Sequence, residues 1–347
     1  MKNNSKHIVV LTPGFSENEE DSTTIPALQI FVKALKELNP HFDIKIITFQ
    51  YPFTTETYDW YGIKVFPLNG QNKKLKKITV WNKAKKLLNR IHKEKPFDVI
   101  HSFWIGECAY IGDRFSIKHK IKHITTAMGQ DVYNNYYNRF LISKRNVLVS
   151  LSKNQKDLLL KNTGRKSIII PWGINPENFP KPQEKTIDIL GVGSLNKIKN
   201  YSLFIQIIAK LKSNFNDLKV EIIGEGNLKH QLLHEIKEKK LEDIIQIKGE
   251  LPRLEVLEKM AKSKVLLHTS SYESFGMVFL EALQSNMNIV SFEVGFSENA
   301  KNWKVCTTKN EMITALKQIL KTNIETNYSN PYLINETVAK YIAIYNE

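Results

Sequence analysis

At 347 residues, 42% hydrophobic and 24% charged, the chain reads as folded and is too long for one compact core, so two domains are expected. Its two cysteines, Cys108 and Cys306, are far apart and in no metal spacing, which argues against a disulfide framework and fits a reducing cytoplasm; no apolar run approaches the roughly 18 residues of a membrane span. The net charge of +15 raises nucleic acid as a partner, but six of the 50 basic residues are arginine, the side chain that base readout and bidentate phosphate contacts favour, so none is expected.

Short apolar runs alternate with longer amphipathic ones along the chain. "HIVVLT" opens as a strand and meets Thr-Pro-Gly at once, unlike the longer apolar core of a signal peptide. "PALQIFVKALKEL" follows with Leu28, Phe31, Leu35 and Leu38 at helical spacing, and "FDIKIITF" is the next strand. The lysine-rich segment 72–95 then interleaves Lys73, Lys74, Lys76, Lys77, Lys83, Lys85 and Lys86 with Leu75, Ile78, Trp81, Leu87, Leu88 and Ile91. A solvated helix face is the favoured reading; peripheral contact with anionic lipid, at the inner face of the membrane, is the alternative.

Strands "FDVIHSF", "KHITTA", "NVLVSLS" and "SIIIPW" complete the first half. A proline-rich linker, "PENFPKPQEK", precedes "IDILGVG", "LKVEIIG", "IIQIKG", "KVLLHTS" and "NIVSFE". Strand–helix alternation implies parallel sheets covered by helices: two doubly wound α/β domains, 1–178 and 179–325, with a C-terminal helix in 326–347 that returns to the first. Ligands sit beyond the carboxyl ends of strands in such sheets. That rule selects "TPGF", "HSFW", "AMGQD", "SLSKNQ" and "PWGIN" in the first half, and "GVGSLNKIKN", "GEGN", "GELPR" and "SSYESFG" in the second, two sets expected to face each other across a cleft.

The last of these loops is the most informative. In "SYESFGMVFLEALQ" Ser274 is the expected N-cap, and amides near Gly276, Met277 and Val278 would cradle a phosphate at the helix start. Glu281, five residues on, lies at the depth of a ribose attached to a diphosphate; Glu273 lies at the other end, where a sugar would sit. Either glutamate alone reads as a solvated helix-flanking residue, and the joint pattern is what points to a site. Lys197 and Lys199 follow Gly193 by four and six residues, where a lysine would neutralise a leaving diphosphate. Neither "GVGSLN" nor "GEGNLK" has the third glycine of a dinucleotide fingerprint.

"YESFGMVFLEAL" resembles the E-x7-E signature of retaining nucleotide-sugar glycosyltransferases of family 4, also called group 1, with the GT-B fold, and "GVGSLNKIKNYSLFIQIIAKL" resembles their glycine–lysine segment. The likeness is specific over about residues 147–300 and looser before. It implies that Lys199 contacts the donor diphosphate beside Gly193, Ser194 and Lys197, and that Glu281 holds the ribose. Glu273, with backbone groups of Phe275, Gly276 and Met277, would hold sugar and phosphates; Leu251 would meet the base through main chain. Gly14, Phe15, Met128, Gly129 and Asp131 would line the acceptor side of the first domain. Three positions depart from the family: Ser194 replaces an arginine, Met128 a histidine, and Phe15 the second glycine of the first loop.

The expected activity is therefore retaining transfer of a sugar from a nucleotide-diphosphate sugar to a hydroxyl acceptor, in glycan, surface polysaccharide or glycolipid synthesis. Glu273 and Lys199 would be the catalytic pair, with no metal and no cofactor. A sugar-nucleotide epimerase or hydrolase on the same fold, or a weakly active or non-catalytic basic binding module, are the alternatives.

Overall fold

The computed structural model describes residues 5–133, 136–137, 143–215, 217–297, 302–322 and 332–347. The chain forms two compact units, Met1–Gly173 with Ile334–Glu347, and Ile174–Leu333. The 325/326 boundary expected from sequence lies outside the described residues.

The first unit is built on eight strands: β1 (His7–Gly14), β2 (Asp43–Tyr51), β3 (Tyr58–Trp60), β4 (Ile63–Pro67), β5 (Val99–Phe103), β6 (Lys122–Thr126), β7 (Val147–Ser150) and β8 (Ile168–Ile169). Their order in the sheet is β3-β4-β2-β1-β5-β6-β7-β8, parallel throughout except for β3, which runs antiparallel to β4 at the edge. The helices are α1 (Pro26–Leu38), α2 (Lys77–Glu94), α3 (Glu107–His119), α4 (Lys153–Thr163) and, from the chain's end, α10 (Ile334–Asn346). Strand interiors such as Ile8, Val9, Val10 and Leu11 are fully buried, which explains why β1 reads as a continuous apolar run rather than an alternating one. Helix α2 buries Val80, Ala84, Leu88 and Ile91, one stripe at helical spacing.

In the second unit six parallel strands follow the order β11-β10-β9-β12-β13-β14: β9 (Ile187–Val192), β10 (Val220–Ile223), β11 (Ile245–Gly249), β12 (Ser263–His268), β13 (Asn288–Phe292) and β14 (Trp303–Cys306). Helices α5 (Tyr201–Leu211), α6 (Lys229–Glu238), α7 (Arg253–Ala261), α8 (Met277–Gln284) and α9 (Lys309–Lys321) connect or follow them. In each sheet the chain winds outward one way and then the other. The reversals fall between β1 and β5 and between β9 and β12. Such switch points open a crevice at the strands' carboxyl ends, because neighbouring connections depart to opposite faces.

Three strands went unread in the sequence. β3 and β14 are only three and four residues long, and β4 alternates buried with exposed positions at the margin of its sheet. "SIIIPW" shrinks to the two exposed residues of β8, the edge strand of its sheet among the described residues.

Helix α10 packs on α1, where Tyr341 meets Phe31 with ring centroids 4.8 Å apart. Beneath it lies a buried polar chain. His101 accepts from or donates to Tyr345 Oη at 2.7 Å and Thr126 Oγ1 at 2.8 Å, and Thr126 Oγ1 meets Tyr341 Oη at 2.8 Å. Burial pushes His101 well below the usual histidine range, so it stays neutral. Tyr341→Ala removes both the ring and the hydroxyl, and urea unfolding is expected to show a loss of about 3–5 kcal/mol. A loss below about 1 kcal/mol would mean that α10 does not stabilise this core.

Candidate active site

The second unit's switch point gathers most of the residues singled out in sequence. β9 ends at Val192 and runs into the loop that carries Gly193, Ser194, Lys197 and Lys199 before α5. β12 ends at His268, and the loop to α8 carries Glu273, Phe275 and Gly276. The two loops are stitched together. Thr269 Oγ1 donates to the carbonyls of Lys199 and Asn200, each at 3.0 Å, and the Ser271 amide donates to Ile198 O at 2.9 Å. Asn196 Oδ1 accepts from the amides of Ile198 and Lys199, a local turn that fixes where Lys199 leaves the backbone.

Lys199 Nζ pairs with Glu273 Oε1, its stem lying over Gly193. His268 Nε2 reaches the same oxygen at 3.0 Å. Burial works to raise the Glu273 pKa, but the Lys199 charge and the His268 hydrogen bond outweigh it and hold the carboxyl down at about 2. Glu273 is therefore ionised throughout the neutral range. Both partners converge on Oε1, and among the described residues Oε2 makes no hydrogen bond. Burial chiefly keeps His268 below its ordinary pKa; Glu273 offsets this in part and Lys199 adds to it. Neutral His268 therefore donates through Nε2, its Nδ1 being buried without a partner.

Helix α8 starts two residues later than expected. Ser274 does not cap it; Gly276 does, at φ 91°, where a side chain would be strained and a Cβ would meet the Phe279 ring at 2.5 Å. Phe275 is buried and stacks on Phe296 at 4.6 Å, so its side chain belongs to the core, leaving only its backbone for a ligand. Met277 is the first helical residue and is half-buried. Glu281 is the fifth residue of α8, and its carboxylate, 9% exposed, receives Arg253 Nη1 at 2.5 Å. Leu251 is half-buried in the loop between β11 and α7, two residues before Arg253. Ser194 and Lys197 are exposed in the loop that carries Lys199.

The glycine pairs of "GVG" and "GEG" also find a purpose. A Cβ on Gly224 would sit 2.1 Å from Gly193 O, so the loops after β9 and β10 approach more closely than any side chain allows. Their spacing serves packing between loops.

In the first unit, a cavity of about 290 Å³ lies at the β1/β5 switch point, lined by Pro13, Trp104, Gly106, Glu107 and Asp131 among others. Asp131 builds its wall. The carboxylate accepts from the amides of Ile105 at 2.7 Å and Gly129 at 2.6 Å, and from Met128 N at 3.2 Å, which draws the ends of β5 and β6 together. Burial raises the Asp131 pKa against those bonds. Glu107 is fixed by Trp81 Nε1 at 2.6 Å and Gln50 Nε2 at 2.5 Å. Gly14 and Phe15 lie on the β2 side instead. The Phe15 amide bonds to Tyr51 O, and its fully buried ring meets Trp60 edge-on at 4.8 Å. His123 is a buried structural residue, bonded to Ser102 Oγ at 2.9 Å. Among the described residues no three His, Cys, Asp or Glu side chains gather to hold a metal.

Residues 175–330 match the family model for glycosyl transferases group 1, which spans nearly all of the second unit. The second unit is thus similar to group 1 glycosyltransferases. It is 34% identical over 172 residues to an N-acetylgalactosaminyltransferase of Campylobacter jejuni that acts on N-acetylgalactosamine-N,N'-diacetylbacillosaminyl-diphospho-undecaprenol. That alignment covers 46% of this chain and 45% of the relative. Solved structures agree over nearly the whole chain. Anabaena HepE, in complex with UDP and glucose, superposes with a TM-score of 0.71 at 13% identity, covering 98% of this chain and 99% of its own. Sucrose-phosphate synthase of Thermosynechococcus elongatus gives 0.77 at 12%, covering 98% of each. The matched region thus sits within a chain whose two α/β domains follow the GT-B fold.

Arg253 and His268 are the residues that sequence reasoning missed. Arg253→Ala leaves the Glu281 carboxylate without this partner. The expected loss is about 1–3 kcal/mol in chemical denaturation, less than for a fully buried pair because Arg253 keeps 22% of its side chain exposed. If the loss persists undiminished when Glu281 is also changed to Gln, the pair is not its source.

Proposed function

We propose that the chain is a retaining glycosyltransferase that moves a sugar from a nucleotide-diphosphate sugar to a hydroxyl acceptor in glycan or glycolipid synthesis. The observation that carries the reading is the Lys199–Glu273 pair, set beside the start of α8 at the switch point of a group 1 domain. A UDP-sugar is the favoured donor, supported by the UDP and glucose in the HepE complex.

Each residue has a role that its surroundings suit. Lys199 carries three N–H donors and is held at the loop junction, so it would meet the leaving diphosphate while keeping its contact with Glu273. Amides at the start of α8 would share the phosphate load, since the helix N-terminus carries partial positive charge. Oε2 of Glu273 would accept from a hydroxyl of the transferred sugar. Glu281, oriented by Arg253, would accept from the ribose hydroxyls, and Leu251 would flank the base. Gly193, Ser194 and Lys197 would complete the diphosphate loop. On the first unit, Met128, Gly129 and Asp131 would shape the acceptor side. As the glycosyl–phosphate bond breaks, the departing phosphate would take the acceptor hydroxyl's proton and the attack would come from the same face, retaining configuration. Lysine and helix terminus meet the developing charge in this scheme, which calls for no metal and no organic cofactor.

In a thermal-shift panel of nucleotide sugars, one class is expected to raise the melting temperature, because a ligand that binds the native state stabilises it. Silence toward all UDP-, GDP- and ADP-sugars at millimolar concentration would sink the proposal. Lys199→Ala and Glu281→Ala are each expected to lower donor use at least about tenfold, or 1.4 kcal/mol. Turnover at the wild-type level in either would remove that residue's role. Donor consumption that needs no acceptor would point instead to an epimerase or hydrolase.

Activity is further expected to persist in EDTA. Complete loss there, restored by a divalent cation, would contradict the lysine-based scheme.

A further inference from the structure

We infer that the turn leading into α2, where Leu75 and Ile78 stand among Lys73, Lys74, Lys76 and Lys77, docks the chain on an anionic lipid bilayer. The inference deepens the proposed function by naming where its acceptor is met.

The lysine-rich segment sorts into two parts. From Val80 onward its apolar residues include a stripe turned to the core, and burial against the sheet accounts for them. The earlier part has no such account: Leu75 is 98% exposed and Ile78 73%. A single exposed leucine is ordinary. Two large aliphatic side chains three residues apart, nearly bare and ringed by four lysines, are not explained by packing. From Gln71 to Lys93 there is no Asp or Glu to balance the charge.

The occupant must therefore offer hydrocarbon and negative charge together. A second copy of this face would set lysine against lysine. Nucleic acid supplies the phosphates and has no acyl layer to receive Leu75. An anionic bilayer supplies both, with aliphatic side chains entering the acyl boundary and ammonium groups among the headgroup phosphates.

The position gives the contact a use. Lys77 lines the cavity at the β1/β5 switch point, and its ammonium lies 5.1 Å from the Trp81 ring and 5.2 Å from the Tyr137 ring. The docking turn and the candidate acceptor cavity thus share a wall. A hydroxyl carried on a lipid-linked glycan would arrive there without leaving the membrane surface.

The test is flotation of the full chain with vesicles of phosphatidylcholine alone and of equal parts phosphatidylcholine and phosphatidylglycerol. Wild type is expected to float with the anionic vesicles only. Leu75→Ser with Ile78→Ser is expected to cut the floated fraction about tenfold. Both sites are exposed, so the melting temperature and its response to UDP-glucose should match wild type. A fluorophore on Leu75→Cys should shift to the blue on anionic vesicles, and one on Leu233→Cys, exposed on α6 of the second unit, should not. The native Cys108 and Cys306 are buried and will not compete for label. A wild-type chain that stays with the soluble fraction overturns the inference, as does a double variant that floats like wild type. A dimer that the double variant abolishes, with no vesicle binding, assigns the face to a second copy and also overturns it. The UDP-glucose response reads the glycosyltransferase proposal separately, so the two can fail independently.

Discussion

The reversal of winding between β9 and β12 is the constraint on which the candidate site depends. Right-handed crossovers oblige each parallel strand to send its helix to one face of the sheet. Where the direction of winding changes, two adjacent strands release their loops to opposite sides. Lys199 comes from one of those loops and Glu273 from the other, and no shorter route in the chain would bring positions 74 residues apart into an ion pair. The loops are then locked by side chains that have no part in the chemistry, Thr269, Ser270 and Asn196, whose polar groups are spent on neighbouring backbone.

Electrostatics follows from that placement. Water would screen a lysine–glutamate pair to near insignificance. Half-buried at the strand ends, with His268 donating to the same oxygen, the pair holds Glu273 ionised and in one orientation. Arg253 does the corresponding work for Glu281 from the next helix over. Each of the two glutamates read from sequence thus has a cationic or hydrogen-bonding partner supplied by a different segment, which turns two flexible side chains into fixed acceptors.

Both glutamates and Lys199 were legible because they fall at set distances within a single loop or a loop and the helix it opens, where the order of residues is also their order in space. Arg253 and His268 were not. Each is local in sequence to something bland, a helix start and a strand end, and acquires meaning only through a long-range contact. Ser274 misled for a related reason: a serine before an apolar run is the ordinary start of a helix, and tight packing on Phe279 passed the cap to glycine. The parallel, doubly wound plan was readable from buried strand interiors, and the half-polar strands at the sheet margins were not. In the lysine-rich segment periodicity identified the helix, and it took exposures to separate Leu75 and Ile78 from the residues that serve the core.

Phe275 and Gly276 carry one more consequence. The ring of Phe275 is clasped by Phe296 and Tyr332, and Gly276 has the Phe279 ring where a side chain would go. The peptide groups between Glu273 and α8 are therefore presented outward by side chains anchored inward. Truncating Phe275, or adding a side chain at Gly276, would register first as a loss of folded protein, so an alanine scan ranked by affinity would pass over this stretch. Replacing a single peptide linkage by an ester, which deletes one N–H and leaves every side chain in place, is the perturbation to which such a surface answers.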